Sequence, residues 1–350
     1  MTEPEIAQQR LYTQHIAAQT FNTPAEIVKY MGAMQAQDYA GAKWAVGMRL
    51  QKSNDAAIDK ALADGSIIRT HVLRPTWHFV GPADLRWMLN LSAHRIIALS
   101  ASRERQLKLD NDIFKRSNDV LGKALAGSKQ LNRLEMMDVL QQAGIDTNEQ
   151  RFIHLLMRAE LDQVICSGAR QGKQFTYALF DDRVPKDNQR TKEEALSELV
   201  KRYFISRGPA TLQDFAWWSG LTLADAKTGL EIIKSELTST EVNGRTYWMA
   251  KDQPLINTKA PVAYLLPAFD EFAVAYSDRT AAVNSKYLVQ ARNVIFDPSI
   301  VVNNQVVGTW KRVINKNSIE MILNPFGKLN KVQTKAIEMA QKRYQKFMKI

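Results

Sequence analysis

The sequence predicts an α+β chain in which one unit of helix, tight turn, second helix and β-hairpin recurs three times. A smaller β-rich region and a basic terminal helix follow. Helix-cap residues at matched places, a hairpin-turn pair and a change of texture after residue 256 support this reading.

The third unit is the plainest. Thr211 opens a helix with Asp214 at its third position, and the run DFAWWSG stops at Gly220. Thr222 caps TLADAKTGLEIIKSEL, with Asp225 at the same offset. TSTEV and RTYWM follow as strands joined by Asn243-Gly244, the pair a type I′ turn favours. That order is a winged helix-turn-helix. In the second unit Asn132 caps RLEMMDVLQQAG with Glu135 in register, NEQRFIHLLMRAEL is the next helix, and DQVICSG with KQFTYALF makes the hairpin. Its tip, ARQGK, is Gly-rich and basic.

The first unit begins at Thr23-Pro24-Ala25-Glu26, a capping box with proline in the first turn. Ile27, Met31 and Met34 fall on one helical face; DAAIDKALADG is the later helix and IIRTHVLRPTWHFV the hairpin. The wings end alike, in TWHFV, FTYAL and RTYWM. In this unit roughly twenty residues intervene between the two helices, where the other units have a few. The insertion contains QDYAGAKWAVGMRL. Insertions into repeats land in loops, and loops on a rigid scaffold commonly carry function. The expected division is 1–108, 109–186, 187–255 and 256–350. In the last region YLLPAFDEFAVAYSDR, VIFDPSIVVNNQVVGTW and SIEMIL read as strands of a small β-domain. KVQTKAIEMAQKRYQKFM reads as an amphipathic helix with Val332, Ala336, Ala340, Tyr344 and Phe347 on its apolar face.

The chain has 350 residues and a net charge of +11. From Lys328 onward there are seven basic residues and one acid, so +6 sits in the tail and only +5 elsewhere. Charge alone therefore supports nucleic-acid binding weakly. No apolar run has the length of a membrane span, and MTEPEIAQQRLYTQ lacks the pattern of a secretion signal. A single cysteine, Cys166, excludes an internal disulfide and a cysteine-clustered zinc site; its run DQVICSG reads as a strand holding a buried thiol. A cytoplasmic, nucleoid-associated monomer without metal or cofactor is expected.

Residues 34–46 read MQAQDYAGAKWAV, with two glutamines one residue apart. No helix aligns Gln35 and Gln37 on one face, but an extended backbone does, and it turns Asp38 elsewhere. Spacing alone favours Gln35 as a buried amide at a helix end and Gln37 as a solvated one.

The segments KYMGAMQAQDYAGAKWAVGMRL, IIRTHVLRPTWHFVGPADLRWML, YLLPAFDEFAVAYSDR and VVGTWKR together resemble the AlkZ/YcaQ group of DNA glycosylases. The resemblance runs from about residue 5 to the GTWKR stretch. It implies three tandem winged helices plus a small β-barrel-like domain. It also implies a catalytic signature of glutamine, an apolar residue, then glutamine or aspartate, which falls on Gln35, Ala36 and Gln37. Glutamine in the last position resembles the branch that unhooks bulky crosslinks attached through purine N7; the aspartate branch takes a broader range of N7-alkylated purines. Alanine is a small residue for the middle position.

Neutral amides suit that chemistry. N-glycosidic cleavage passes through an oxocarbenium-like sugar. A purine alkylated on N7 already carries positive charge and departs neutral, so a general acid is largely unnecessary. What remains is to position a water and place partial negative charge beside the cation, which a glutamine carbonyl does without titrating. Gln37 is expected to hold the water and Gln35 to orient Gln37 or the sugar, with Asp38 as the less favoured base. No lysine adjoins the pair, Lys43 being the nearest, so a monofunctional enzyme is expected. The expected partner is double-stranded DNA with alkylated or crosslinked purines. The alternative is a non-catalytic winged-helix DNA-binding protein or regulator.

Candidate DNA contacts are Lys43, Trp44 and Arg49 after the glutamines, Arg170 and Lys173 in the second wing, and Lys311 and Arg312. Trp44 is also read as a core residue, and the last two as a strand-end charge cluster. In the first wing, alternation sets Ile68, Thr70, Val72, Trp77 and Phe79 on one face. It sets Arg69, His71, Thr76 and His78 on the other, to grip phosphates, with Arg74 at the tip. Asp270-Glu271 and Asp278-Arg279 are read as a structural bridge rather than a carboxylate pair.

Overall fold

The computed structural model describes residues 1–186, 190–254, 262–315 and 318–349. The fold mixes helices and antiparallel sheets. No helix among the described residues is long and apolar enough to cross a membrane. Two compact units emerge. One comprises Met1–Asp59, Leu196–Trp218 and Thr222–Ile350; the other comprises Lys60–Ala195 and Ser219–Leu221. The expected domain boundaries at 186/187 and 255/256 abut 187–189 and 255–261, which lie outside the described residues.

In the unit that begins at Lys60, helix Arg133–Gln142 starts at a complete capping box. The Asn132 side chain accepts from Leu134 and Glu135 N–H, and Glu135 accepts from Asn132 N–H at 2.7 Å. Gly144, at φ +70°, ends it. Helix Arg151–Leu161 and the strands Ile165–Ser167 and Thr176–Leu179 follow. Helix Asn111–Leu125 packs on them through Phe114, Leu121 and Leu125, which meet Leu140, Phe152 and Leu155 in one core. Cys166, in the strand Ile165–Ser167, is fully buried, as expected, and burial pushes its thiol up to about 12.

The hairpin Ile68–Val72 and Arg74–Val80 corrects the expected faces. Arg69 pairs with Phe79, Thr70 with His78 and His71 with Trp77. Directly opposed residues share a face, so Trp77 and Phe79 lie with Arg69 and His71, and His78 lies with Thr70. The single residue Leu73, at φ +63°, closes the hairpin between Val72 and Arg74, so odd-numbered residues stand opposite odd-numbered ones, one residue away from the expected register. A one-residue shift moves a whole strand to the other face.

In the other unit, Thr23 and Glu26 form the expected capping box, and helix Pro24–Met31 ends at Gly32 with φ +72°. Met34 is therefore not helical. It lies in the strand Ala33–Gln35, and helix Tyr39–Gly47 follows. Farther on, Thr211 and Asp214 exchange cap hydrogen bonds, and Thr222 accepts from Asp225 N–H. Strands Leu237–Val242 and Arg245–Ala250 pair across Asn243 and Gly244, both at positive φ.

The strands Ile319–Pro325, Gln305–Ile314, Ser299–Val302 and Ala263–Leu266 form, in that order, a four-stranded antiparallel sheet. Its edge strands do not meet among the described residues, so the expected barrel-like domain is an open sheet. Four strands are too few to curl shut; helix Lys331–Met348 packs on the sheet instead. The run PAFDEFAVAY is not a strand. Asp270 accepts from Phe272 N–H at 2.9 Å and caps the short helix Glu271–Val274. On the terminal helix Ile337, Ala340, Tyr344 and Phe347 are buried, while Val332 is 56% exposed. The Tyr344 ring meets both Trp44 and Trp310 at 5.1 Å between centroids.

Candidate active site

Gly32 ends helix Pro24–Met31 and the strand Ala33–Gln35 follows, with Gln37 and Asp38 in a bend before the next helix. Two buried groups hold the strand there. Arg207 donates from Nη1 to the Met31 carbonyl at 2.7 Å and from Nη2 to the Ala33 carbonyl at 2.6 Å. Glu271 Oε1 accepts the backbone N–H of Gln35 at 2.8 Å. Glu271 Oε2 accepts from Arg207 Nε and Nη2 at 2.9 and 2.6 Å and from Trp218 Nε1 at 3.0 Å. Carboxylate and guanidinium are both sealed from solvent and satisfy one another, which removing either partner would undo.

Gln35 is only 7% exposed, whereas Gln37 is exposed and Asp38 half-buried. Asp38 is the residue before helix Tyr39–Gly47. Its carboxylate lies over Gly41, where an added Cβ would stand 2.4 Å from Oδ2. One amide is thus packed into the scaffold and the next is presented to solvent.

Lys43, Trp44 and Arg49 are tied into the protein, and the DNA contacts expected of them are corrected. Lys43 is buried and pairs with Asp55 and Asp59 at 2.7 and 2.8 Å. Trp44 is buried and donates to the Leu265 carbonyl at 2.7 Å. Arg49 makes a two-pronged pair with Asp270 at 2.8 and 2.9 Å, and also donates to the Ala45 carbonyl and to Gln14. The expected bridge at Asp270 is therefore real, but its partner is Arg49; Asp278 pairs instead with Arg245. Arg312 donates to the Tyr344 hydroxyl at 2.7 Å and braces the terminal helix, while Lys311 is exposed.

In the other unit His71 Nδ1 pairs with buried Glu160, and His78, fully buried, sits 2.9 Å from the Thr76 carbonyl. Neither is displayed for phosphate, because each is packed under the hairpin. Arg69 is buried too, its guanidinium 4.2 Å from the Trp77 ring and 4.8 Å from Phe175. Arg74 and Thr76 are half-buried, and Arg170 and Lys173 stand at the tip of the second wing, Lys173 exposed.

Arg207 and Glu271 went unrecognised in the sequence. Arg207 sits at a helix end before Gly208-Pro209, with no periodic signal, and Glu271 lies in a run that resembled a strand. An acid beside an acid in an apolar run, needing a buried partner each, was the available clue.

A sealed ion pair thus braces the strand that leads from the buried Gln35 to the exposed Gln37. The sequence model of the DNA glycosylase AlkZ-like family matches residues 28–347, and the chain belongs to that family. It is a DNA glycosylase, a hydrolase of N-glycosyl bonds, and a purely DNA-binding role is not favoured. The interstrand DNA cross-link repair glycosylase of Streptomyces sahachiroi is 24% identical over 355 residues, covering 94% of this chain and 92% of that protein. The solved structure of Streptomyces sahachiroi DNA glycosylase AlkZ superposes with a TM-score of 0.81 at 20% identity. That match covers 99% of this chain and 96% of that one.

Proposed function

We propose that the chain hydrolyses the N-glycosidic bond of N7-alkylated purines in double-stranded DNA, including crosslinked purines, and leaves an abasic site. A water held by the Gln37 carbonyl attacks C1′. The C1′–N9 electron pair passes to the purine, cancels its N7 charge, and one proton is released to solvent. Gln35 orients Gln37 or the sugar, and Asp38 is the secondary candidate for the base. The observation that carries this reading is the exposed Gln37 two residues beyond a strand whose backbone Arg207 and Glu271 clamp. Such bracing holds a reacting group in place before substrate arrives. The name of the Streptomyces sahachiroi relative supports placing crosslinked purines in the substrate range.

The repeated helix, turn, helix and hairpin is read as three tandem winged helices, at 1–108, 109–186 and 187–255, with 256–350 as the accessory region. The protein acts as a monomer. Duplex contacts are assigned to Arg74, Thr76, Arg170, Lys173 and Lys311.

The test is excision from an N7-methylguanine duplex, read as alkali-labile strand breaks. Gln37→Ala is expected to slow single-turnover excision about a hundredfold while duplex affinity holds. Undiminished excision by both Gln37→Ala and Gln35→Ala would refute the assignment.

A further inference from the structure

Beneath the second wing lies a recess of about 350 Å³, within the size range of small-ligand pockets. Its walls include Arg69, Trp77, Arg133, Leu134, Lys173 and Phe175, and no acid is among its lining residues. Three features separate it from an ordinary surface hollow. First, aromatic and cationic planes follow one another along it. His71 and Trp77 rings are 4.0 Å apart, Arg69 lies 4.2 Å from Trp77 and 4.8 Å from Phe175, and Arg170 lies 5.2 Å from Phe175. Second, the row is anchored at its inner end by the His71–Glu160 pair, so its planes are set in advance. Third, its outer end leaves apolar surface open: Phe175 is 36% and Leu134 is 56% exposed. Arg133 and Lys173 are exposed beside them.

We infer that this recess receives an unpaired nucleotide, its base lying against Phe175 and Leu134 and its flanking phosphates on Arg133 and Lys173. The inference rests on the reading of this chain as one that acts on DNA, and it adds a second, non-catalytic nucleotide site. Aromatic faces accept any base, and two cations at the rim match the charge of the strand. A protein ligand of the same charge would need carboxylates in place of phosphates and has no use for a preset row of aromatic and cationic groups.

The experiment uses the full chain and fluorescein-labelled oligothymidylate of about eight nucleotides, a length within the usual span of a single-strand site. Fluorescence anisotropy gives Kd, with an undamaged duplex of equal length measured in parallel. Phe175→Ala is expected to weaken the single strand about tenfold, Phe175→Tyr to restore it, and the duplex to change much less. Arg133→Gln is expected to lower the salt slope for the single strand by about 0.7. Equal Kd for wild type and Phe175→Ala would overturn the inference, as would equal weakening of strand and duplex. Circular dichroism of each variant checks folding, and Phe175→Tyr keeps the test decisive if the alanine variant is unstable. Excision plays no part in the readout. A protein that binds the strand through Phe175 yet leaves N7-methylguanine untouched would uphold this site and refute the proposed chemistry.

Discussion

Glu271 Oε1 accepts the Gln35 backbone N–H at 2.8 Å, while its Oε2 receives Arg207, whose other nitrogens grip the Met31 and Ala33 carbonyls. One carboxylate thus fixes a candidate catalytic residue by its main chain. The residue before it, Asp270, does the same for the far side of the loop through Arg49.

Glu271→Gln removes one member of a sealed ion pair and strands the Arg207 charge. The expected loss of stability is about 3–5 kcal/mol, measured as a lower denaturant midpoint with the slope unchanged. Activity of the remaining folded protein should fall as well, since the strand it braces carries Gln35.

Gly41→Ala tests the setting of Asp38. The added methyl would meet Asp38 Oδ2 at 2.4 Å and Pro267 Cβ at 3.1 Å. A cost of about 1–3 kcal/mol is expected, with slower excision. Normal stability and normal excision together would mean that the loop adapts freely.

Lys311 and Arg312 are adjacent but should behave differently. Lys311→Ala is expected to lower the salt slope of duplex binding by about 0.9 without altering stability. Arg312→Ala loses the hydrogen bond to Tyr344 and should instead lower Tm, with little change in slope.

Cys166 is buried, with its thiol held up at about 12, so almost no thiolate exists near neutral pH. Iodoacetamide at pH 8 should leave native protein unmodified and label it once urea is added. Rapid labelling of the folded chain would contradict the burial.

Helix Lys331–Met348 depends on Tyr344 between Trp44 and Trp310 and on Phe347 against Gly47. Phe347→Ala should cost about 3–5 kcal/mol, read by urea denaturation.

Local signals in the chain determined a great deal. The capping boxes at Thr23 and Asn132, the caps at Thr211 and Thr222 and the Asn243-Gly244 turn each stand where the residues indicated. They were legible because each involves partners within a few positions of one another. The extended start of the Gln35 segment follows from Gly32, which ends helix Pro24–Met31.

Only the tertiary structure decided which charges are available. Lys43, Arg49 and His71 read as DNA contacts, yet each is claimed by an acid elsewhere in the chain: Asp55 and Asp59, Asp270, and Glu160. The face of Trp77 turned on the one-residue tip Leu73 of the hairpin, and the hold of Arg207 and Glu271 on Gln35 joins three separate segments. Such pairings cost chain entropy to close and are stabilised only by burial. No short window of sequence contains both partners, so none can announce them.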